Sequence, residues 1–172
     1  MEFYWLNTNY YHYLKQWDKR VPIANKEKHF RPFLGPFFLS DMFPYYLPLT
    51  SPKKKHQFIY QRGDIILIEE GRLGAINVNN MLPLPQQEVC QIQIEQMEDN
   101  KYKKLLQKQL LWCIQNKEMI QRKVNNIYLL YHKIKKEQLC KRCCDFPLLE
   151  LNYYLYIGKD KLQEEEQTYQ YA

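Results

Sequence analysis

Hydrophobic and polar positions fall into two halves with different periods. Up to about residue 95 the apolar residues come in short runs broken by Gly, Pro, Asn and charge. Glu2-Phe3-Tyr4-Trp5-Leu6 is aromatic-rich and free of Gly and Pro, which predicts a strand. Asn7, Thr8 and Asn9 are N-cap candidates for a helix running to about Lys19. On it Tyr10, Tyr13, Leu14 and Trp17 share a face for the core, and Pro22 ends it. Asn25 to His29 is polar and reads as a loop. Further strands follow at Phe33–Leu39, with a bulge at Gly35-Pro36, and at Tyr45–Leu49. Asp41 to Pro44 turns between them. Phe58–Gln61 continues extended, Arg62-Gly63-Asp64 turns, and Ile65–Ile68 is an aliphatic run for a buried strand. Leu73–Asn77 is another strand, Asn79–Pro85 a connection, and Cys90–Glu95 alternates like a half-buried strand. Most connections are too short for a crossover helix. The expectation is an antiparallel, strongly bent sheet or partial barrel.

From Lys101 the period lengthens. Leu106, Leu110, Cys113, Ile120, Val124, Ile127, Tyr131 and Ile134 form one apolar stripe, broken at Asn116-Lys117, so two consecutive helices are expected. Asp145 is an N-cap for a last helix over Phe146–Tyr156, with Pro147 in its first turn. Beyond Gly158 the chain is polar and is expected to fray. The fold class is therefore α+β, a bent antiparallel sheet wrapped by about four helices. No domain linker or internal repeat interrupts the 172 residues, so a single domain is expected, with 160–172 as a possible tail.

Composition sharpens this picture in three places. Twelve Lys or Arg against two acids lie between Asn100 and Arg142, so the net charge of +6 is concentrated on the helical half. Sixteen of the twenty-six aromatics precede residue 61. A basic face beside an aromatic-rich half suits single-stranded nucleic acid, although each ring taken alone is more simply core. There is no apolar run of membrane-spanning length and no secretory signal pattern, so a cytoplasmic protein is expected. The five cysteines (Cys90, Cys113, Cys140, Cys143 and Cys144) then read as reduced structural thiols. Cys140-x-x-Cys143-Cys144 invites a metal, but no second paired set completes four ligands, so no metal and no cofactor are expected.

The candidate chemistry sits after the Tyr45–Leu49 strand, in Thr50-Ser51-Pro52-Lys53-Lys54-Lys55-His56. Pro52 fixes its own φ near about −65° and pushes Ser51 toward extended backbone, so two hydroxyls are held at a strand end beside three lysines. Such a loop can handle a phosphate. It can equally be a solvated lysine turn, and its own residues leave both readings open.

Several stretches, in order, resemble the ToxN/AbiQ family of type III toxin–antitoxin endoribonucleases. They are Phe3-Tyr4, Tyr10, Leu14 and Val21-Pro22; Phe33-Leu34-Gly35; Leu47-Pro48-Leu49-Thr50-Ser51-Pro52-Lys53-Lys54 with His56; and Leu73-Gly74-Ala75-Ile76-Asn77 with Met81-Leu82-Pro83. Tyr102-Lys103 with Lys108-Gln109-Leu110, and Cys144-Asp145-Phe146 with Leu148-Leu149-Glu150, continue it. The resemblance implies a β core similar to MazF/Kid-type toxins and a metal-independent endoribonuclease acting on cellular mRNA. It further implies a tandem-repeat RNA antitoxin, which the toxin cuts into pseudoknot-like units and joins in a closed protein–RNA hetero-oligomer.

The implied catalytic positions are Tyr10, Thr50, Ser51 and Lys53, and a family lysine falls at Arg31, which keeps charge but not proton chemistry. Lys53 would stabilise charge on the phosphoryl oxygens, its pKa lowered by Lys54 and Lys55. His56 has the pKa range of a general base. Arg31, Lys54, Lys55, Asn77, Lys104 and Lys108 are the expected RNA contacts. The rival readings are a non-catalytic single-stranded RNA-binding module and, with no helix-turn-helix to support it, a DNA-binding regulator.

Overall fold

The computed structural model describes the chain except residues 24, 27–28, 41–42, 54–62 and 171–172; side chains are described outside 24–30, 40–42, 54–62 and 159–172. The described elements are β1 (Glu2–Leu6), α1 (Thr8–Trp17), β2 (Asn25–Lys26), β3 (His29–Phe30), β4 (Phe33–Ser40), β5 (Phe43–Thr50), β6 (Ile65–Ile68), β7 (Gly74–Asn77), β8 (Leu82–Pro83) and β9 (Val89–Gln91). Helices α2 (Asn100–Gln115), α3 (Lys117–Leu129), α4 (Glu137–Cys140) and α5 (Phe146–Gln170) follow.

Seven strands form one antiparallel sheet in the order β6-β7-β5-β4-β1-β9. β8 lies beside β7 along the same edge of β5. β7 pairs the far end of β5 (Leu49 with Ile76, Thr50 with Ala75) and β8 the near end (Tyr45 with Pro83, Tyr46 with Leu82). β5 is therefore the strand on which the sheet changes partner. Its own Tyr45 and Leu47 and its neighbours Phe33, Leu34 and Ile76 are fully buried. The register of β4 on β5 shifts between Leu34 and Phe37, where Gly35 and Pro36 lie. The sheet and the five helices, one of them the single-turn α4, match the α+β expectation.

The helices dock where the stripe dictates. Leu106, Cys113, Ile120, Val124 and Ile127 are buried, and the break between α2 and α3 falls at Asn116 as expected. Glu150 of α5 accepts hydrogen bonds from Tyr45 Oη of β5 (2.7 Å) and Tyr128 Oη of α3 (2.9 Å), with His132 3.6 Å away. One carboxylate oxygen thus ties sheet, α3 and α5 together. Asp18, buried at the end of α1, accepts from Arg20 and from the backbone N–H of Asp145, next to α5.

The structure corrects the sequence expectations in several places. Trp17 is 48% exposed at the last position of α1, and the buried residues of the helix are Tyr10, Tyr11 and Leu14. Ile134 is 61% exposed because a π-turn over Leu130–Ile134 adds a residue to the winding and rotates it off the stripe. Alternation at Cys90–Glu95 yields only the three residues of β9. Ile92 donates its N–H to Phe3 O, and a 3-10 turn over Ile94–Gln96 then leaves the sheet. Asn25–His29 holds parts of a two-strand ribbon of β2 and β3. α5 runs on past Tyr156 to Gln170 through Gly158, since a lone helical glycine costs only about 1 kcal/mol. The Phe58–Gln61 strand lies outside the described residues. Cys143 and Cys144 are buried free thiols, each pushed up to about 12 by burial first, so both stay protonated at neutral pH.

Replacing Glu150 by Ala strands two tyrosine hydroxyls and should lower stability by about 3 kcal/mol. Urea denaturation followed by circular dichroism checks this; a loss below 0.5 kcal/mol, flagged by an overlapping curve, would mean that Glu150 is not a structural tie (roughly the surface-substitution range).

Candidate active site

The site is built at the C-terminal end of β5. Leu49 is buried and Thr50 half-buried at the edge, while Ser51, Pro52 and Lys53 are exposed. Three supports hold this end from behind.

The first is a pair of donors on one oxygen. Asn77 Nδ2 donates to Thr50 Oγ1 at 2.8 Å, and Arg31 Nη1 donates to the same atom at 3.2 Å. A threonine hydroxyl has two acceptor positions and one proton. With both acceptor positions taken, its O–H is left to donate, and Thr50 becomes a fixed donor polarised by a neighbouring cation.

The second support is Arg31 itself. Its Nη1 also donates to Leu49 O (2.6 Å) and its Nε to Ile23 O (2.8 Å), while the Leu49 N–H donates to Pro32 O at 2.9 Å. Burial lowers the pKa of this guanidinium, and the phenols of Tyr102 and Tyr11 nearby act against that. It remains charged, as arginine does in proteins. A lysine in its place has one donor head and could not span Ile23 O, Leu49 O and Thr50 together. The forked guanidinium therefore serves as a brace and a fixed positive charge.

Gly74 is the third. Its φ is +110°, a backbone conformation that side chains disfavour, and a Cβ added there would land on the Thr50 carbonyl oxygen. It would also meet Pro52 N and Ser51 C, both at 3.3 Å. β7 can approach the loop this closely only because it starts with glycine. The preceding residue is pinned in turn, since Gln109 of α2, 2% exposed, donates from Nε2 to Leu73 O at 2.6 Å.

Of the expected site residues, the structure brings together Thr50, Ser51, Arg31 and Asn77, with Lys53 continuing the loop. Lys104 and Lys108 stand one turn apart on the exposed side of α2, whose buried side carries Gln109. His56, Lys54 and Lys55 lie outside the described residues. Tyr10 is placed elsewhere. It is fully buried, stacked on Tyr13 and edge-on to Tyr156, with its hydroxyl 3.4 Å from Pro83 O. Pro83 pairs with Tyr45, five residues and about 16 Å along β5 from Thr50. Burial, first among its causes, also raises the Tyr10 pKa far above the phenol range, so it holds its proton in the core.

Two supports were not legible as site residues. Tyr102, in the first turn of α2, lies near Arg31, and burial pushes its pKa up to about 12. Gln109 is a polar residue on the buried side of a helix, and that position, with its place in the Lys108-Gln109-Leu110 stretch, was its signal. Among the described residues no group of three or more His, Cys, Asp or Glu could hold a metal ion, and no helix is long and apolar enough to cross a membrane.

A family model described as toxin ToxN of a type III toxin–antitoxin system matches residues 2–154. The chain belongs to the ToxN family. Endoribonuclease ToxN of Bacillus thuringiensis subsp. kurstaki is 30% identical over 174 residues, covering 97% of this chain and 90% of that protein. Endoribonuclease ToxN of Pectobacterium atrosepticum is also 30% identical, covering 96% and 99%. A solved type III toxin–antitoxin structure, concerned with selective toxin inhibition by a non-coding RNA pseudoknot, superposes with a TM-score of 0.80 at 31% identity. It covers 90% of this chain and 96% of that one. The ToxN fold is thus shared nearly end to end.

If Gly74 sets the approach of β7 to the loop, Gly74→Ala should leave the helical signal intact and slow RNA cleavage at least about 100-fold, as displacing a site by a fraction of an ångström does. Single-turnover cleavage beside a circular dichroism spectrum is the check; wild-type activity in a folded Gly74→Ala protein would contradict it.

Proposed function

We propose that this ToxN-family endoribonuclease cuts single-stranded RNA at the Thr50–Lys53 loop by attack of a ribose 2′-OH on its own 3′-phosphate. The 2′-oxygen bonds to phosphorus, the P–O5′ bond breaks, the 2′ proton goes to a base and the departing 5′ oxygen takes a proton. The products are a 2′,3′-cyclic phosphate and a 5′-OH. The observation that supports this reading is the doubly satisfied Thr50 oxygen, which leaves the hydroxyl proton for a phosphate oxygen.

Arg31, behind it, contributes a fixed positive charge close to where negative charge develops, which is the arrangement that stabilises an oxyanion-like transition state. Ser51, exposed beside Thr50, is in position to orient the 2′-OH. Lys53 adds charge at the phosphate and supplies a proton donor for the 5′ oxygen. His56 is assigned as the base. Tyr10 acts only by holding α1 in the core.

The cleaved RNA is cellular mRNA and the chain's own repeat RNA antitoxin, whose pseudoknot-like units then block the site in a closed protein–RNA assembly. Lys104, Lys108 and the other basic residues of the helical half contact its backbone, with Lys54, Lys55 and Asn77 near the loop. The protein acts in the cytoplasm, where these RNAs are.

Ser51→Ala should reduce cleavage by about three orders of magnitude with RNA binding and folding retained. Wild-type cleavage in this variant would remove Ser51 from the mechanism. Wild-type products should carry cyclic phosphate and 5′-OH ends, in EDTA as without it. Ends bearing 5′-phosphate, or activity lost with EDTA, would overturn the transesterification reading.

A further inference from the structure

A second concave feature lies outside the loop, at the start of the edge strand β6. A cavity of about 170 Å³ is lined by Ile127 of α3, Leu130, Leu139 of α4, Gly63 and Lys136. Asp64, 2% exposed, is also part of its lining. One carboxylate oxygen of Asp64 accepts from Arg142 Nε at 2.9 Å; the other, Oδ1, is buried and has no hydrogen-bond partner among the described residues. A buried carboxylate oxygen without a donor is costly unless something fills that role. The pairing with Arg142 does not explain it, because that bond uses the other oxygen.

The space is the size of a single ring system, and its lining combines three aliphatic side chains, the cations Lys136 and Arg142, and the Asp64 carboxylate. We propose that this cavity is a nucleobase subsite, taking one unstacked base of the RNA that bears an exocyclic amino group. The amino group donates to Asp64 Oδ1, the ring packs between the aliphatic walls, and the adjoining phosphate meets Lys136 and Arg142. Adenine, cytosine and guanine carry such an amino group. Uracil offers only N3–H between two carbonyl oxygens, which would oppose the carboxylate.

Asp64 precedes Ile65, which pairs with Asn77. The cavity is therefore three residues along and two strands across from Thr50, about 14 Å in all. Among the described residues β6 ends the strand order of the sheet, so the cavity lies at the margin of the sheet. The subsite would select a base a few nucleotides from the cut, so this inference rests on the RNA-cleaving reading given above.

The test uses equilibrium binding, so that it does not depend on cleavage. Wild-type protein, Gly63→Leu and Asp64→Asn are titrated with single-stranded 2′-O-methyl RNA oligonucleotides in which each position in turn is changed to U. A Cβ at Gly63, which lines the cavity, meets nothing within 4 Å, so Leu is accommodated there without displacing the fold and adds bulk beside the cavity, whereas Asp64→Asn keeps shape and removes charge. At one position U should weaken wild-type binding about tenfold, and both variants should cut that penalty below about twofold. A penalty profile that is identical in all three proteins, or one without any position sensitive to U, would overturn the subsite and leave the cavity to water. Discrimination that vanishes in the variants of a protein that cuts no RNA would support the subsite and sink the catalytic reading instead. Cleavage with unaltered discrimination would do the reverse.

Discussion

Thr50 shares one hydroxyl oxygen between the amide of Asn77 and the guanidinium of Arg31, and the geometry of the site depends on that sharing. The two donors come from different parts of the chain, one from β7 and one from the segment before β4. Each is fixed independently: Arg31 by the Ile23 and Leu49 carbonyls, Asn77 by the pairing of β7 with β6. A hydroxyl so held cannot serve as a base. Its proton is left to donate, at a strand end where the following described residues, Ser51 to Lys53, are open to solvent.

This constraint reaches into the rest of the fold. β5 changes partner from β8 to β7 midway, which frees its end from the crowded half of the sheet. Gly74 lets β7 lie against the loop backbone, and Gln109 fixes the residue before it. α2 therefore has two functions on two faces, a buried brace for the loop and an exposed row of lysines. At the other end of β5, Glu150 collects two tyrosine hydroxyls and keeps α3 and α5 on the sheet. The active end is thus supported by polar contacts and the distant end by a polar tie within an aromatic core.

Much of this was legible in the order of residues. Strands with short connections could only be antiparallel, and the polar Asn116-Lys117 step in an apolar stripe gave the helix break, because a charge on the buried face cannot continue it. The loop was legible too, since a proline after two hydroxyls at a strand end limits the backbone. What could not be read depends on contacts distant in sequence. Tyr10 has the spacing of a core residue and the resemblance of a site residue, and only packing against Tyr13 and Tyr156 places it inside. Ile134 kept the stripe's period in sequence but lost its place on the stripe to a π-turn, which ends at the left-handed Lys135. Alternation over Cys90–Glu95 put Cys90 on the buried face with Ile92, but Cys90 is exposed and only Ile92 is buried, and the pattern carries no information on where the partner strand ends. Gln109 braces the residue before β7 from a helix more than fifty residues from the loop, and no local pattern marks that.

The most direct test of the central claim asks whether Asn77 acts through the Thr50 oxygen. Single-turnover RNA cleavage is measured in wild type, Asn77→Ala, Thr50→Val and the double variant. In the wild-type background Asn77→Ala should slow cleavage about tenfold, near 1.4 kcal/mol of barrier. In the Thr50→Val background, where the shared oxygen is gone, the same change should cost less than about twofold, the non-additivity expected of groups in contact. Equal losses in the two backgrounds would show that Asn77 works independently of Thr50 and would contradict the account.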